Sequence, residues 1–146
     1  MNIKKGVITM PKQFWINLPV KDINKSKEFY SKVGFIVNEQ HGNSDQAQLI
    51  IGDHNATVML FPASTFEKFT RQAIVDTKQA TEVLLSVDAD SREEVDVMAK
   101  NAVEAGGTIF GEPSENQGWM CGCGFTDLDG HRWNVLYMDM SKMPKE

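Results

Sequence analysis

A chain of 146 residues with a net charge of −5 and a pI near 5.2 has the length of one domain. It is long enough to bury about two-thirds of its unfolded surface, so neither a disulfide nor a metal staple is required. The acidic balance argues against nucleic acid as a partner. No apolar run approaches the roughly 20 residues of a membrane span, and no secretory n- and h-region is present, so a soluble cytoplasmic protein is expected.

Residues 1–73 carry nine basic and six acidic side chains, residues 74–146 six and fourteen. That split speaks against a long basic groove and is compatible with a local anion pocket from the first half. Residues 1–11 show no clear period and are expected to form a tail or an arm that covers a partner. Residues 13–20 alternate as a strand, with Phe14, Ile16 and Leu18 on one face and Trp15 and Asn17 on the other. Pro19 marks an edge strand or a strand terminus. Asp22 or Asn24 can cap the helix that follows. Ile23, Phe29, Tyr30 and Val33 form its buried stripe, Lys25, Lys27, Glu28 and Lys32 its wet face, and Gly34 ends it. A strand over 35–39, a polar loop over 41–45, and strands over 47–51 and 57–62 joined through Gly52-Asp53-His54-Asn55 complete a β-α-β-β-β unit.

Residues 63–80 are polar and mixed, with a short helix around 66–69. Phe66, Phe69 and Ile74 are too many large apolar groups for a free linker, so a flap is expected. The pattern then returns. Residues 82–87 alternate as a strand, and Ser91 followed by Glu94 is a capping box. Val95, Met98, Ala99, Ala102 and Val103 form a core-facing stripe, and Gly106-Gly107 ends the helix. A strand over 108–110 and a loop over 111–118 lead to a hairpin over 119–138 that turns at Asp129-Gly130. Cys121, Cys123 and Phe125 share one face of its first strand. Asn134, Leu136 and Met138 share one face of its second, with Trp133, Val135 and Tyr137 opposite. Both faces are largely apolar, so this hairpin is expected at the centre of its sheet.

Two copies of one unit imply a pseudo-twofold arrangement with a shared cavity. Each unit has one helix layer, so the other face of its sheet is covered by a partner unit or curls around a ligand. The expected fold class is α+β. Two β-α-β-β-β modules, about 12–62 and 81–140, form cupped, half-open barrel sheets in a single domain, joined by a lid-like linker over 63–80. Exposed sheet edges and the N-terminal arm make a homodimer the expected assembly.

Cys121 and Cys123 lack a second pair for a zinc site, and strand neighbours two apart make poor disulfide geometry; small buried packing residues are expected. His41 and His54 read as surface turn residues, His131 as turn or rim. Gly118, Gly122 and Gly124 alternate along a strand and lack the strand-to-helix context of a phosphate loop. Glycines two apart on one face leave room for a crossing strand or for a ligand.

Three stretches resemble the vicinal oxygen chelate superfamily, which includes glyoxalase I, bleomycin-resistance proteins, extradiol dioxygenases and fosfomycin-resistance enzymes. They are Leu18-Pro-Val-Lys-Asp-Ile-Asn-Lys-Ser-Lys-Glu-Phe-Tyr30 with Gly34-Phe35, the run from Val95 to Gly107 closing on a double glycine, and Phe125-Thr-Asp-Leu-Asp-Gly-His-Arg-Trp-Asn134. The resemblance covers about 12–139 and points to an uncharacterised glyoxalase-like bacterial branch. One fold of this kind carries many functions. The family's metal ligands, two from each half, fall by register on Trp15, Met59, Glu82 and Asn134. Only Glu82 is a strong ligand, so the set suits neither glyoxalase nor dioxygenase chemistry. No cofactor is expected, with one divalent metal ion as the alternative.

What remains is an apolar cavity for a small organic molecule with a polar or cationic end. Its expected walls are Trp15, Asn17, Met59 and Phe61 from the first half. Trp119, Cys121, Cys123 and Asn134 come from the second, beside Glu82 and Leu84, with Phe66 and Phe69 as lid. The same aromatic residues equally suit plain packing between sheets. The first functional reading is a glyoxalase/bleomycin-resistance-like protein that binds a small molecule without the family metal site. The alternatives are a lyase or isomerase of the lactoylglutathione lyase type, with Glu82 as acid/base, and a drug-sequestering resistance protein.

Overall fold

Alternating burial along 15–20 and 56–62 makes these stretches strands with one wet and one dry side, and the order of elements follows the doubled pattern. The computed structural model describes residue 6, residues 10–43 and residues 45–145, the side chains of 39–43 excepted. The expected arm over 1–11 and the side chain of His41 thus lie wholly or largely outside the described residues. Strands β1 (Trp15–Val20), β2 (Ile36–Asn43), β3 (Gln46–Ile51) and β4 (Ala56–Pro62) surround helix α1 (Ile23–Val33) in sequence. Helix α2 (Ala63–Thr70) opens the joining segment. Strands β5 (Leu84–Asp88), β6 (Thr108–Asn116), β7 (Met120–Thr126) and β8 (Arg132–Met138), with helix α3 (Arg92–Glu104), repeat the unit.

The two sheets have the same open topology, β1-β4-β3-β2 and β5-β8-β7-β6. In each, the first strand runs parallel to the last and the other pairs are antiparallel. β1 is an edge strand, which accommodates Pro19 because a proline has no N–H to give to a ladder. β7 and β8 are the two central strands of their sheet, so their apolar character on both faces fits their place.

The helix ends follow local chemistry. Asp22 accepts the amide N–H of Lys25 at 3.0 Å as N-cap of α1, and Gly34 closes it at φ +120°. Ser91 accepts from the amide of Glu94 at 3.1 Å, while the Glu94 carboxylate takes the amide of Asp90, completing the capping box of α3. Several ends differ from the sequence pattern. β2 runs on through the expected polar loop, with its pairing to β3 shifted between Asn38 and Asn43. β6 runs to Asn116 with two register irregularities around Gly111 and Pro113. An edge strand tolerates such bulges and a proline, whereas periodicity does not report them.

Helices α1 and α3 pack on the same side of their sheets, and the two modules share one core. Leu18, Val20, Val58 and Leu60 from the first sheet and Phe125, Trp133 and Val135 from the second are all buried in it. Phe29 and Tyr30 of α1 reach across. Tyr30 meets Trp133 edge-on at 5.8 Å, Phe35 meets Trp133 at 4.9 Å, and Phe125 stacks on Trp133 at 6.3 Å. Aromatic groups of this size dominate core energetics.

A polar clamp fixes the junction. Asp127 is buried at the end of β7. It accepts the Tyr30 hydroxyl and the amides of Asp129 and His131, each amide at 2.9 Å. Trp133 Nε1 donates to the Tyr30 oxygen at 3.1 Å. His131 Nε2 lies 2.6 Å from the carbonyl of Pro19, which only accepts, so that nitrogen carries the proton. Lys21 gives its amide to Asp129 at 2.9 Å, and Thr77 its hydroxyl to the Asp129 carbonyl at 2.7 Å. The turn after β7 thus ties together module one, module two and the joining segment. Among the described residues, no helix is long and apolar enough to cross a membrane.

Candidate functional site

The sheet faces turned away from the helices are where side chains are left open. On the first sheet, pairing places Trp15, Thr57, Ile50 and Ile36 in one cross-strand row and Asn17, Met59, Gln48 and Asn38 in the next, with Pro19 and Phe61 beyond. Directly opposed residues share a face, so Trp15, Asn17, Met59 and Phe61 stand together, as the sequence pattern implies. Trp15 is 51% exposed. Asn38 donates to Gln48 Oε1 at 2.8 Å, and Gln48 donates to Thr57 Oγ1 at 3.4 Å, which orients an amide layer between two apolar rows. A cleft of about 660 Å³ lies here, lined by Trp15, Met59, Phe61, Gln48 and His54. Phe69 of α2 meets Phe61 edge-on at 5.1 Å, so the joining segment reaches the rim of this face.

Glu82 stands in a neighbouring cavity of about 500 Å³, with Asn17, Phe66, Ile74 and His131 among its lining. It precedes β5 rather than lying in it and is exposed. Among the described residues it has no hydrogen bond or ion pair.

The remaining sequence-picked residues lie elsewhere. β7 and β8 pair as Cys123 with Val135 and Gly124 with Asn134. Cys121 and Cys123 are therefore on the helix side and Asn134 on the opposite face. Cys123 Sγ reaches the Val95 carbonyl of α3 at 3.8 Å. Burial pushes the Cys123 thiol up to about 11 and raises that of Cys121 as well. Asn134 donates to Ser86 Oγ at 3.4 Å across β5. Trp119 sits at the β6–β7 turn, its Nε1 enclosed without a partner among the described residues. The structure does not bring Trp119, Cys121, Cys123 or Asn134 to the Trp15–Phe61 face. The hairpin itself carried that signal: an Asp129-Gly130 turn pairing Thr126 with Arg132 sets even-numbered residues against even-numbered ones.

The electrostatics of the clamp follow from burial. Desolvation raises the Asp127 carboxyl above the usual carboxylate range, against the lowering influence of His131 and of the Tyr30 hydrogen bond. Desolvation, then the Asp127 charge, holds the Tyr30 phenol well above its ordinary value, so Tyr30 keeps its proton and donates.

A resident metal does not fit the family positions. Val20 pairs with Pro62 and Val87 with Val135. Matching the modules on these pairs places Phe61, two residues beyond Met59, at the counterpart of Asn134. Neither indole nor phenyl offers a lone pair in the ring plane, and a thioether is a soft ligand, so Trp15 with Met59 or Phe61 supplies no hard donor. Asn134 is held by Ser86 on the other sheet, and Glu82 is outside the strand. Among the described residues, no three of His, Cys, Asp and Glu converge as ligands.

A family model for the Glyoxalase/Bleomycin resistance protein/Dioxygenase superfamily matches residues 12–135. No curated protein matches the chain at a significant level. Among solved structures, a hypothetical protein from S. aureus is 34% identical with a TM-score of 0.79, covering 88% of this chain and 95% of that one. A family enzyme from Burkholderia phytofirmans is 20% identical with a TM-score of 0.71, covering 85% and 96%. The genomically encoded fosfomycin resistance protein of Listeria monocytogenes is 18% identical with a TM-score of 0.63, covering 91% and 98%. The last two likenesses show the fold alone.

Proposed function

The chain belongs to the Glyoxalase/Bleomycin resistance protein/Dioxygenase superfamily, and from that premise we propose that it binds a small aromatic or amphipathic molecule on the open face of its first sheet, without the family metal. The observation that carries this reading is the alignment of Trp15, Met59 and Phe61 along a cleft of about 660 Å³. That is within the range of drug-sized sites, which combine apolar walls with a few placed polar groups. The Gln48 amide supplies a polar group in the cleft, and the Asn17 amide, which lines the neighbouring cavity with Glu82, supplies another beside it. Glu82, across the edge of β1, supplies charge for a cationic end. Glu82 stands exposed at a rim rather than enclosed against a substrate, so we assign it anchoring and not proton transfer.

Segment 63–80 serves as the lid, with Phe69 against Phe61. A second copy of the chain completes the cleft in a cytoplasmic homodimer. Exposed Phe14, Trp15, Ile36 and Leu84, the last 57% exposed, support this assembly.

The test is tryptophan fluorescence against a panel of cationic, neutral and anionic aromatic compounds. Saturable quenching is expected with cationic or neutral members, lost in Trp15→Phe and in Met59→Arg, which fills the cleft. Turnover of a hemithioacetal that disappears in Glu82→Gln would instead establish the lyase reading. Quenching unchanged in Met59→Arg would overturn the assigned face.

A further inference from the structure

The open face of the second sheet is built differently. Thr108 pairs with Thr126, and Thr126 with Arg132, so three successive strands present these side chains in one row on one face. All three line a cavity of about 500 Å³ that shares Ile74, Val75 and Thr77 with the Glu82 cavity. The Arg132 guanidinium lies over the Phe110 ring, 4.4 Å from its centroid. Phe110 in turn lies on Gly124, where a Cβ would stand 2.4 Å from the ring. The glycine therefore makes room for the ring, and the ring holds the guanidinium.

Arg132 is half-buried, yet it has no hydrogen bond or ion pair among the described residues. The hydroxyls of Thr108 and Thr126 have no hydrogen bond either. Lys21 and Lys78 line the same cavity, exposed and without an ion pair among the described residues. Three carboxylates also share the lining, each already engaged. Asp127 takes the Tyr30 hydroxyl and two amides. Asp129 Oδ1 takes the amide of Lys21 at 2.9 Å, and Asp76 Oδ1 that of Lys78 at 3.0 Å. A guanidinium with one face on a ring keeps its N–H edge for fork-like bonding to an oxyanion. Two unengaged hydroxyls in the same row are suited to the remaining oxygen lone pairs.

We infer that Thr108, Thr126 and Arg132, with Phe110 holding the guanidinium, form a second binding site, for a small organic oxyanion whose flat apolar body packs against Ile74, Leu128 and the free edge of Phe110. A carboxylate and a phosphate monoester share the chemistry recognised here. This site lies on the other sheet from the cleft, next to the Glu82 cavity with which it shares Ile74, Val75 and Thr77, and its ligand has the opposite charge.

The experiment is calorimetric titration of the full chain at low ionic strength with phenyl phosphate, benzoate, inorganic phosphate and benzylamine. Saturable binding of phenyl phosphate or benzoate is expected at one per chain, and whichever binds more tightly identifies the headgroup. Inorganic phosphate is expected to bind more weakly, because it lacks the flat body. Arg132→Gln should weaken the tighter anion about 10- to 100-fold, since it removes a charged hydrogen-bonding partner. Arg132→Lys should weaken it about tenfold, because an ammonium cannot make the fork. Thr108→Val with Thr126→Val leaves the guanidinium on its ring and is expected to weaken the anion several-fold, which keeps the test decisive should Arg132→Gln unfold. Trp15→Phe should leave anion binding unchanged. Absence of saturable binding by any anion would overturn the assignment. So would Arg132→Gln or the double threonine variant binding like the unaltered chain, benzylamine binding as tightly as benzoate, or loss of anion binding in Trp15→Phe.

Discussion

The two modules share strand order, pairing directions and helix side, yet their open faces have opposite characters. The first presents Trp15, Met59 and Phe61 around an amide layer and leaves a cleft. The second covers Gly124 with Phe110 and sets Leu136 against the space of Gly122. Arg132 stands on top of that filling. The buried faces show the reverse trend, because both contribute to one core and are joined through the Tyr30–Asp127–Trp133 clamp. The fold is thus held in common by the helix-side faces, and differences between the modules accumulate on the faces that stability does not constrain.

The largest effect should come from breaking what the modules share. Trp133→Ala removes the ring that Tyr30, Phe35 and Phe125 all touch, and should cost about 3–5 kcal/mol by urea denaturation. Asp127→Ala leaves the Tyr30 hydroxyl and two amides without an acceptor, and should cost about 2–3 kcal/mol in the same measurement.

The same carboxyl should carry a pH signature. Its folded pKa is raised by burial, so the folded state holds this proton more tightly than the unfolded state does. The contribution to stability is complete below the ordinary carboxylate range and is lost as pH rises through the folded pKa. Stability followed from acid to neutral pH should therefore lose its falling component in Asp127→Asn, relative to the unaltered chain.

Glycines sharpen the comparison at smaller amplitude. A Cβ on Gly107 would stand 2.4 Å from the Thr126 carbonyl, a backbone atom, and Gly107→Ala should cost about 1–3 kcal/mol. On Gly124 the obstacle is the Phe110 ring, 46% exposed and able to swing out. Gly124→Ala should therefore cost less, and its clearer consequence should be weaker binding of the anion beside Arg132. Smallest is the thiol response. With Cys123 pushed up to about 11 by burial and Cys121 also raised, neither should react with a disulfide reagent at neutral pH until the chain is unfolded.

The doubled unit was legible because each level of signal agreed. Asp22, Gly34, Ser91 and Gly106 punctuate helices whose apolar stripes are buried, except that Val103, expected on the core side of α3, is 53% exposed and leaves Val95, Ala99 and Ala102 to face the sheet. The open face of the first sheet was legible for the same reason, since Trp15, Asn17, Met59 and Phe61 follow strict alternation. The row from Thr108 to Arg132 was not. Its register passes through bulges beside Gly111 and Pro113, and a one-residue slip exchanges the faces of a strand. The place of Glu82 was hidden by the late start of β5 at Leu84, since alternation reads the same inside a strand and just before it.

The most direct test of the central claim is calorimetric titration of chelator-treated protein with Ni²⁺, Zn²⁺, Mn²⁺ and Fe²⁺, each followed by a cationic aromatic probe. The donor set around Trp15, Phe61, Glu82 and Asn134 predicts no stoichiometric metal binding below about 10 µM. It also predicts that the probe binds equally with and without metal. One tightly held metal per chain, or probe binding that requires it, would contradict the account.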